Sequence, residues 1–524
     1  MGMSEFSEAI KGEIKKSGQT LLYLSDASGL SLDHISKMRQ GKRLPQDAEK
    51  VRKLIMALQC SEKVSQTLFS LYKKERMGRE EWDCMQEIKK LLEAPNGFLE
   101  SSAEPAKKPP KQESMRKVRV LNSRTEVLSF LQKMLPTCSS VLRMATEEIP
   151  EAVVELLALS LNQFQIHCEH LFSLKTIRVA GGSLYNLRFI NRIMPLIRSG
   201  KNYFPYYDYE EKADDFLPNW LICDQWAVGL QRDMESGIVI WEEEQISYLR
   251  RRYERKKKNK RSLLRHFSDI DQWAVWITEN RKHYLSEIQT AGFRPQDVKN
   301  YYMEYGPCFL NVLSVKLLEK HLLLGEPEKS GLIQYWILRK QQIDQEKAVH
   351  FFTREGLEYS ISTGRLSEIP EQIYTPFSIP ERIELLEKFL AWVKEPDARV
   401  YMLDDRQLNL PIGTFVYSTV SMVDNELILY LGREDVTYCS VIEQGIADKL
   451  NRFCHMLEEG EMICPQEECE RIIGEMIEKL RGGDFKINSY MKKRNFKSVR
   501  YLITGLEFFC CKAYKNKLQI DFSM

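Results

Sequence analysis

The stretch QTLLYLSDASGLSLDHISKMRQGKRLP, residues 19–45, decides how the front of the chain is read. Thr20 stands where a helix N-cap belongs, Leu21, Leu24 and Ala27 recur at helical spacing, and Gly29 is the residue type that ends a helix in a left-handed turn. Ser31 then caps a second helix whose Ile35 and Met38 face the first, and Gly41 closes it ahead of the basic pair Lys42 and Arg43. The pattern predicts two short helices joined by a tight glycine-bearing turn, the device that holds one helix out into a DNA major groove. Working outward, Phe6, Ile10 and Ile14 precede it at helical spacing, and Val51, Leu54, Ile55 and Leu58 follow as a further amphipathic helix.

On Leu24, Ser25, Gly29, Leu30, Ser31, Ile35, Ser36, Lys37, Gly41, Lys42, Arg43 and Pro45, the chain up to about Cys60 resembles the Xre-type (lambda repressor-like) helix-turn-helix domain. Leu21, Ser28 and Arg39 depart from that pattern, which expects a polar, an apolar and an acidic residue there. The resemblance implies that Leu32, Asp33, His34 and Lys37 approach base edges, and that Thr20, Lys42 and Arg43 meet phosphates. It also implies a homodimer on double-stranded DNA, with half-sites about one helical turn apart in a near-palindromic site.

At 524 residues the chain exceeds what one core usually supports, and 43% hydrophobic with 29% charged residues is the balance of a globular protein. No apolar run is long enough to span a bilayer, and Glu5, Glu8 and Glu13 interrupt any signal-like start, so a cytoplasmic protein without membrane contact is expected. The 12 cysteines are dispersed along the chain, only Cys510 and Cys511 being adjacent, which favours reduced thiols over a disulfide framework. Net charge is only +2, with a slight basic surplus before residue 118, the sign but not the size of a strong nucleic-acid footprint.

Five sections are expected: a helix-turn-helix DNA-binding domain with extra helices over 1–95, a linker over 96–117, an α/β domain over 118–264, a mainly helical section over 265–396, and an α+β C-terminal domain over 397–524. The fold class is thus multidomain, an all-α head followed by a larger α/β or α+β body with a helical middle. In the body, helices are predicted over 151–169, 296–305 and 332–358, and a strand over 176–180 ending at Gly181-Gly182. Both mixed regions feed strand pairs into a helix, and Asp-Gln-Trp-Ala-Val occurs at 224–228 and again at 271–275. Duplication is one account of this, and coincidence of the pentapeptide is the plainer one.

Recognised chemical motifs are missing: there is no GxxxxGK[ST] loop, HExxH, GxSxG or CxxC, and none of the eight histidines is followed two residues later by lysine, as the phospholipase D superfamily motif requires. His167, Cys168 and His170, predicted on a helix, and Cys454, His455, Cys464 and Cys469 are weighed as metal ligands against ordinary packing, and packing is preferred. Asp404 and Asp405 are read as a turn, and Tyr203, Phe204, Tyr206, Tyr207 and Tyr209 as sheet packing rather than a pocket. The run Arg250 to Arg261, with nine basic residues in twelve, is read as a solvated helix end or as an accessory phosphate-contacting surface. No enzyme activity, cofactor or metal is expected. The leading expectation is a bacterial-type DNA-binding transcriptional regulator whose body dimerises or senses an unknown small-molecule or protein signal. The alternative is an interaction protein whose helix-turn-helix packs on a partner protein.

Overall fold

The computed structural model describes residues 4–93, 117–176, 178–198, 202–209, 219–267, 299–309, 311–326, 329–330, 332–334, 336–337, 340, 347–366, 373–411, 414–419, 427–431, 438–441, 443–460 and 462–483. The chain forms two compact units, Met1–Glu87 and Ile88–Met524. It is a multidomain protein with an α/β body.

The described part of the first unit consists of helices and the turns between them. They are α1 (Glu5–Ser17), α2 (Leu21–Ser28), α3 (Leu32–Arg39), α4 (Ala48–Ala57) and α5 (Glu62–Met77), and α6 (Arg79–Glu93) runs across the division. Ser4, Thr20, Ser31, Asp47 and Ser61 each accept a backbone amide at the start of a helix, which is why five short helices have defined beginnings. Phe6, Ile10, Leu24, Ile35, Met38, Val51 and Leu54 are fully buried together. Tyr72 of α5 joins that core: its hydroxyl donates to Pro45 O at 2.8 Å and its ring lies 5.6 Å from that of Phe6. The expected positions therefore do pack, with one exchange on α2. Ala27 is exposed and Ser28 is the buried residue, because its hydroxyl donates to Leu24 O at 2.6 Å and accepts from Leu30 N at 3.3 Å.

The body holds two sheets. The eight-stranded sheet runs β1-β7-β6-β5-β2-β3-β4-β8, from β1 (Val118–Leu121), β2 (Val141–Thr146), β3 (His167–Leu174), β4 (Tyr203–Tyr209), β5 (Asn219–Ile222), β6 (Ala227–Leu230), β7 (Gly237–Ile240) and β8 (Arg261–Ser262). The seven-stranded sheet, read from its β9 edge, runs β9-β15-β14-β13-β10-β11-β12, from β9 (Leu264–Phe267), β10 (Lys299–Glu304), β11 (Lys347–Phe352), β12 (Val400–Met402), β13 (Thr414–Thr419), β14 (Leu427–Leu431) and β15 (Tyr438–Val441). The two orders are the same, each strand lying eight later in sequence than its counterpart. The pairing sense agrees as well: three parallel strands, β2-β3-β4 and β10-β11-β12, continue into an antiparallel meander. The body is a duplicated unit, with β8 added at one edge.

Helices lie in sequence between the parallel strands, as βαβ connections need. In the first repeat these are α8 (Glu151–Phe164) and α9 (Gly182–Arg198), preceded by α7 (Arg124–Met134) and followed after the meander by α10 (Glu243–Lys257). In the second they include α11 (Val315–His321), α12 (Arg354–Thr363) and α13 (Ile379–Val393), with α14 (Gln444–Glu458) after the meander and α15 (Gln466–Arg481) beyond it. Phe352, Leu385, Phe389, Met402, Ile473 and Ile477 belong to a buried apolar cluster of the second repeat.

Several expectations need correction. The division at 396/397 does not separate two folds, since β9, β10 and β11 of the expected helical section pair into one sheet with β12 to β15. Residues 299–304 and 347–352 are strands because they are central: Tyr301, Tyr302, Met303, Val349, Phe351 and Phe352 are all buried, and burial on both faces erases the alternation that marks a strand. The expected helix 151–169 ends at Phe164, where Gln165 takes φ 52, and β3 starts at His167. Of the expected strand 176–180, the described residues 176 and 178–180 are not in a strand, and turns at 178–180 precede α9. The second repeat's counterpart of 224–228 lies between β13 and β14, so the pentapeptide at 271–275, itself outside the described residues, does not mark the duplication. Among the described residues no helix is long and apolar enough to cross a membrane.

Candidate nucleic-acid interface

In the first unit, α2 ends at Gly29, whose φ of +69 only glycine adopts without strain, and whose amide donates to Ser25 O at 2.9 Å. Ser25 Oγ donates to Leu30 O at 2.6 Å, and Ser31 Oγ accepts from His34 N at 3.2 Å, so the turn into α3 has its polar groups engaged. Leu30, Ile35 and Met38 fill the inner side of this unit. Gly41 repeats the left-handed turn at φ +69, and Lys42 and Arg43, which follow it, are exposed.

The seven residues expected at DNA fall into three groups. Leu32, Asp33 and Lys37 are exposed on the outer side of α3, Leu32 at 45%. Lys37 Nζ lies 2.7 Å from Asp33 Oδ2, and this hydrogen bond holds the Asp33 carboxyl below its ordinary range. Such an exposed i, i+4 pair is weakened by solvent screening, so Lys37 is readily released to an anion. Lys42 and Arg43 are exposed beside it, and Thr20 is exposed with its hydroxyl accepting from Tyr23 N at 3.2 Å.

His34 stands apart from the outer row. It is half-buried, its Nε2 is enclosed without a hydrogen bond, and burial followed by the nearby Arg43 guanidinium lowers its pKa. It lines a cleft of about 450 Å³ together with Ser31, Arg43, Pro45, Asp47 and Lys50. A base-reading role for His34 therefore requires contact through the cleft mouth rather than from an exposed helix face.

The body's candidates resolve as follows. His167 and His170 lie on a strand, where residues three apart face opposite ways, so they cannot share an ion. His167 stacks on Phe204 at 4.4 Å, and His170 is buried between Thr146 and Tyr203. Cys168 and Cys454 are buried, and burial pushes both thiols up; Cys464 lies 3.6 Å from Leu403 O, and Cys469 sits in the apolar core. Asp404 accepts from Arg406 and Gln407 at 2.9 Å each in a turn, as expected. Tyr203 to Tyr209 form β4. In the basic run, Arg250 pairs with Asp224 at 2.9 Å, Lys260 with Asp208 at 2.6 Å, and Lys257 with Glu169, so these cations are tied to acids of the first repeat. Sequence spacing did not find Glu304, Cys308 and His350, whose ligand atoms lie within 4.8 Å of one another among the described residues.

No protein-family model matches the chain, and no curated protein does. Among solved structures it aligns with TrmBL2, an archaeal chromatin protein described as binding DNA, at 12% identity over 49% of this chain and 94% of that one, with a TM-score of 0.22. It aligns with Nuc, a phospholipase D family member from Salmonella typhimurium, at 15% identity over 28% of this chain and 96% of that one, TM-score 0.21. It also aligns with phosphatidylserine synthase from Haemophilus influenzae, at 8% identity over 70% of this chain and 94% of that one, TM-score 0.22. Overlaps of this size assign no function. They do remove the expectation that the chain is not an enzyme, because the names of two of these neighbours are those of enzymes.

Proposed function

We propose that the chain is a DNA-binding transcriptional regulator of the Xre type, with a duplicated body that dimerises it or senses a signal. One observation carries the proposal: α2, the Gly29 turn and α3 have their scaffold positions buried and hydrogen-bonded, while Leu32, Asp33, Lys37, Lys42 and Arg43 stay exposed together. Binding inserts the start of α3 into the major groove, with Leu32 against a thymine methyl, Asp33 accepting from cytosine, and Lys37 released from Asp33 to a base or phosphate. Lys42, Arg43 and Thr20 hold the backbone. A dimer then reads a near-palindromic site, in the cytoplasm. Selection of fragments from sheared genomic DNA by the full chain tests this. Enrichment of a symmetric motif is the expected result, and no enrichment overturns it.

A second reading has its own support. Leu22, Tyr23 and Leu32 are exposed at 61%, 43% and 45%, an apolar content that suits a protein partner better than phosphates. On that reading, charge reversal of Lys37, Lys42 and Arg43 leaves DNA retention unchanged.

A further inference from the structure

The two repeats carry the same histidine in different company. His170 of β3 is the register partner of Met144 in β2, and His350 of β11 is the partner of Tyr302 in β10. Two residues further along each first strand stand Thr146 and Glu304. In the first repeat the histidine is closed off by neutral groups: Thr146 Oγ1 lies 2.6 Å from His170 Nε2, and Tyr203 Oη lies 2.6 Å from Nδ1. Burial drives this imidazole down to about 3, so it is uncharged.

In the second repeat both neutral partners are replaced. Glu304 takes the place of Thr146. The counterpart of Tyr203 is Ala398, because Pro205 pairs with His170 as Val400 pairs with His350. The loop leaving β10 brings in Cys308, and the carboxylate, thiol and imidazole come within 4.8 Å of one another with residue exposures of 4%, 7% and 3%. That loop is pinned: Thr353, at the end of β11, donates to Tyr305 O through its amide at 3.1 Å and its hydroxyl at 2.7 Å. Tyr302 stacks on the His350 ring at 4.9 Å, and Trp392 meets its edge at 5.3 Å.

We propose that Glu304, Cys308 and His350 form a binding site for one zinc-class divalent cation. The donor set is sulfur, imidazole nitrogen and carboxylate oxygen, which zinc accepts and which calcium and magnesium, as oxygen-seeking ions, do not. An ion among three atoms no more than 4.8 Å apart stands at most about 2.8 Å from each, and closing to zinc bond lengths of about 2.0–2.3 Å takes under an ångström of side-chain movement. Charge decides the matter in a buried place: one carboxylate and one thiolate cancel a dication, and the imidazole stays neutral. On binding, the Cys308 S–H bond gives its proton to solvent, the sulfur lone pair forms the bond to the ion, and no redox change occurs. Three protein ligands leave a fourth tetrahedral position for water. The proposal is independent of DNA binding.

The test uses the full chain, stripped with a chelator and titrated with Zn²⁺ alone and with Co²⁺ as a spectroscopic probe. The expected result is one tight equivalent, release of a proton into weak buffer, a raised unfolding temperature and a thiolate-to-cobalt charge-transfer band. Cys308→Ser removes the band and weakens zinc binding at least tenfold, Glu304→Gln weakens binding likewise, and Cys464→Ser leaves both unchanged. Absence of the band in the parent chain, or its persistence in Cys308→Ser, overturns the site. The parent result decides even where a variant folds poorly.

Discussion

Gly356 lies in the first turn of α12, and a methyl group added there meets the backbone of the loop that carries Cys308. The new Cβ falls 1.8 Å from Tyr305 O, 2.3 Å from Tyr305 C and 2.7 Å from Gly306 N, where real contacts do not go below 3.0 Å. Helix and loop must therefore separate by more than an ångström, and such a shift breaks both hydrogen bonds from Thr353 to Tyr305 O. Two bonds at about 1 kcal/mol each, with overpacking of about 1–3 kcal/mol, outweigh the gain of about 0.5–1 kcal/mol from alanine in a helix. The net expectation for Gly356→Ala is a loss of about 2–4 kcal/mol in the body. Urea unfolding of the full chain, followed by circular dichroism, measures it as a lowered body transition with the transition of the first unit unmoved. Gly12→Ala is the control: nothing lies within 4 Å of its added Cβ, so that variant gains about 0.5–1 kcal/mol. A Gly356→Ala transition within about 0.5 kcal/mol of the parent refutes the reasoning.

Three further outcomes are expected. Tyr72→Phe leaves Pro45 O without its buried donor and lowers the stability of the first unit by about 1–2 kcal/mol in the same unfolding experiment. Burial raises the Asp405 carboxyl to about 6 against hydrogen bonds from the Arg354 and Glu355 amides, so the folded state keeps a proton that the unfolded chain loses from 3.8 upward. Stability at this site therefore falls as pH rises from about 4 to about 6, and Asp405→Asn gains up to about 2–3 kcal/mol near pH 8 with the gain gone near pH 3.5. Glu381 has the opposite sign: burial raises it, but Lys320, Ser378 and His321 outweigh burial and hold it well below 4.5. Its contribution is full above 4.5 and is lost as pH falls below that value, and acid titration of Glu381→Gln against the parent shows the difference.

What could be read in the sequence depended on which physical signal each part carries. The first unit was legible because its helices are short and half-exposed: caps at Thr20 and Ser31, a left-handed Gly29 and apolar residues at helical spacing are local signals. Ala27, Ser28 and His34 misled: Ser28 is buried in place of Ala27 because its hydroxyl finds the carbonyl of Leu24, and His34 turns into a cleft. β10 and β11 were hidden in the sequence because they are buried on both faces, and runs such as Asn300 to Glu304 lack alternation. The duplication lives in strand order and register, not in residue identity. Glu304 and His350 are neighbours only because β10 and β11 pair in parallel, a contact that spacing along the chain cannot show.

The salt dependence of DNA binding by the full chain tests the central claim most directly. Lys42 and Arg43 are exposed, and each phosphate contact contributes about 0.9 to the slope of log K against log salt. Replacing both with glutamine is expected to make the slope shallower by about 1.8 while leaving the preferred sequence unchanged. An unchanged slope, with binding otherwise intact, contradicts the placement of these residues at DNA.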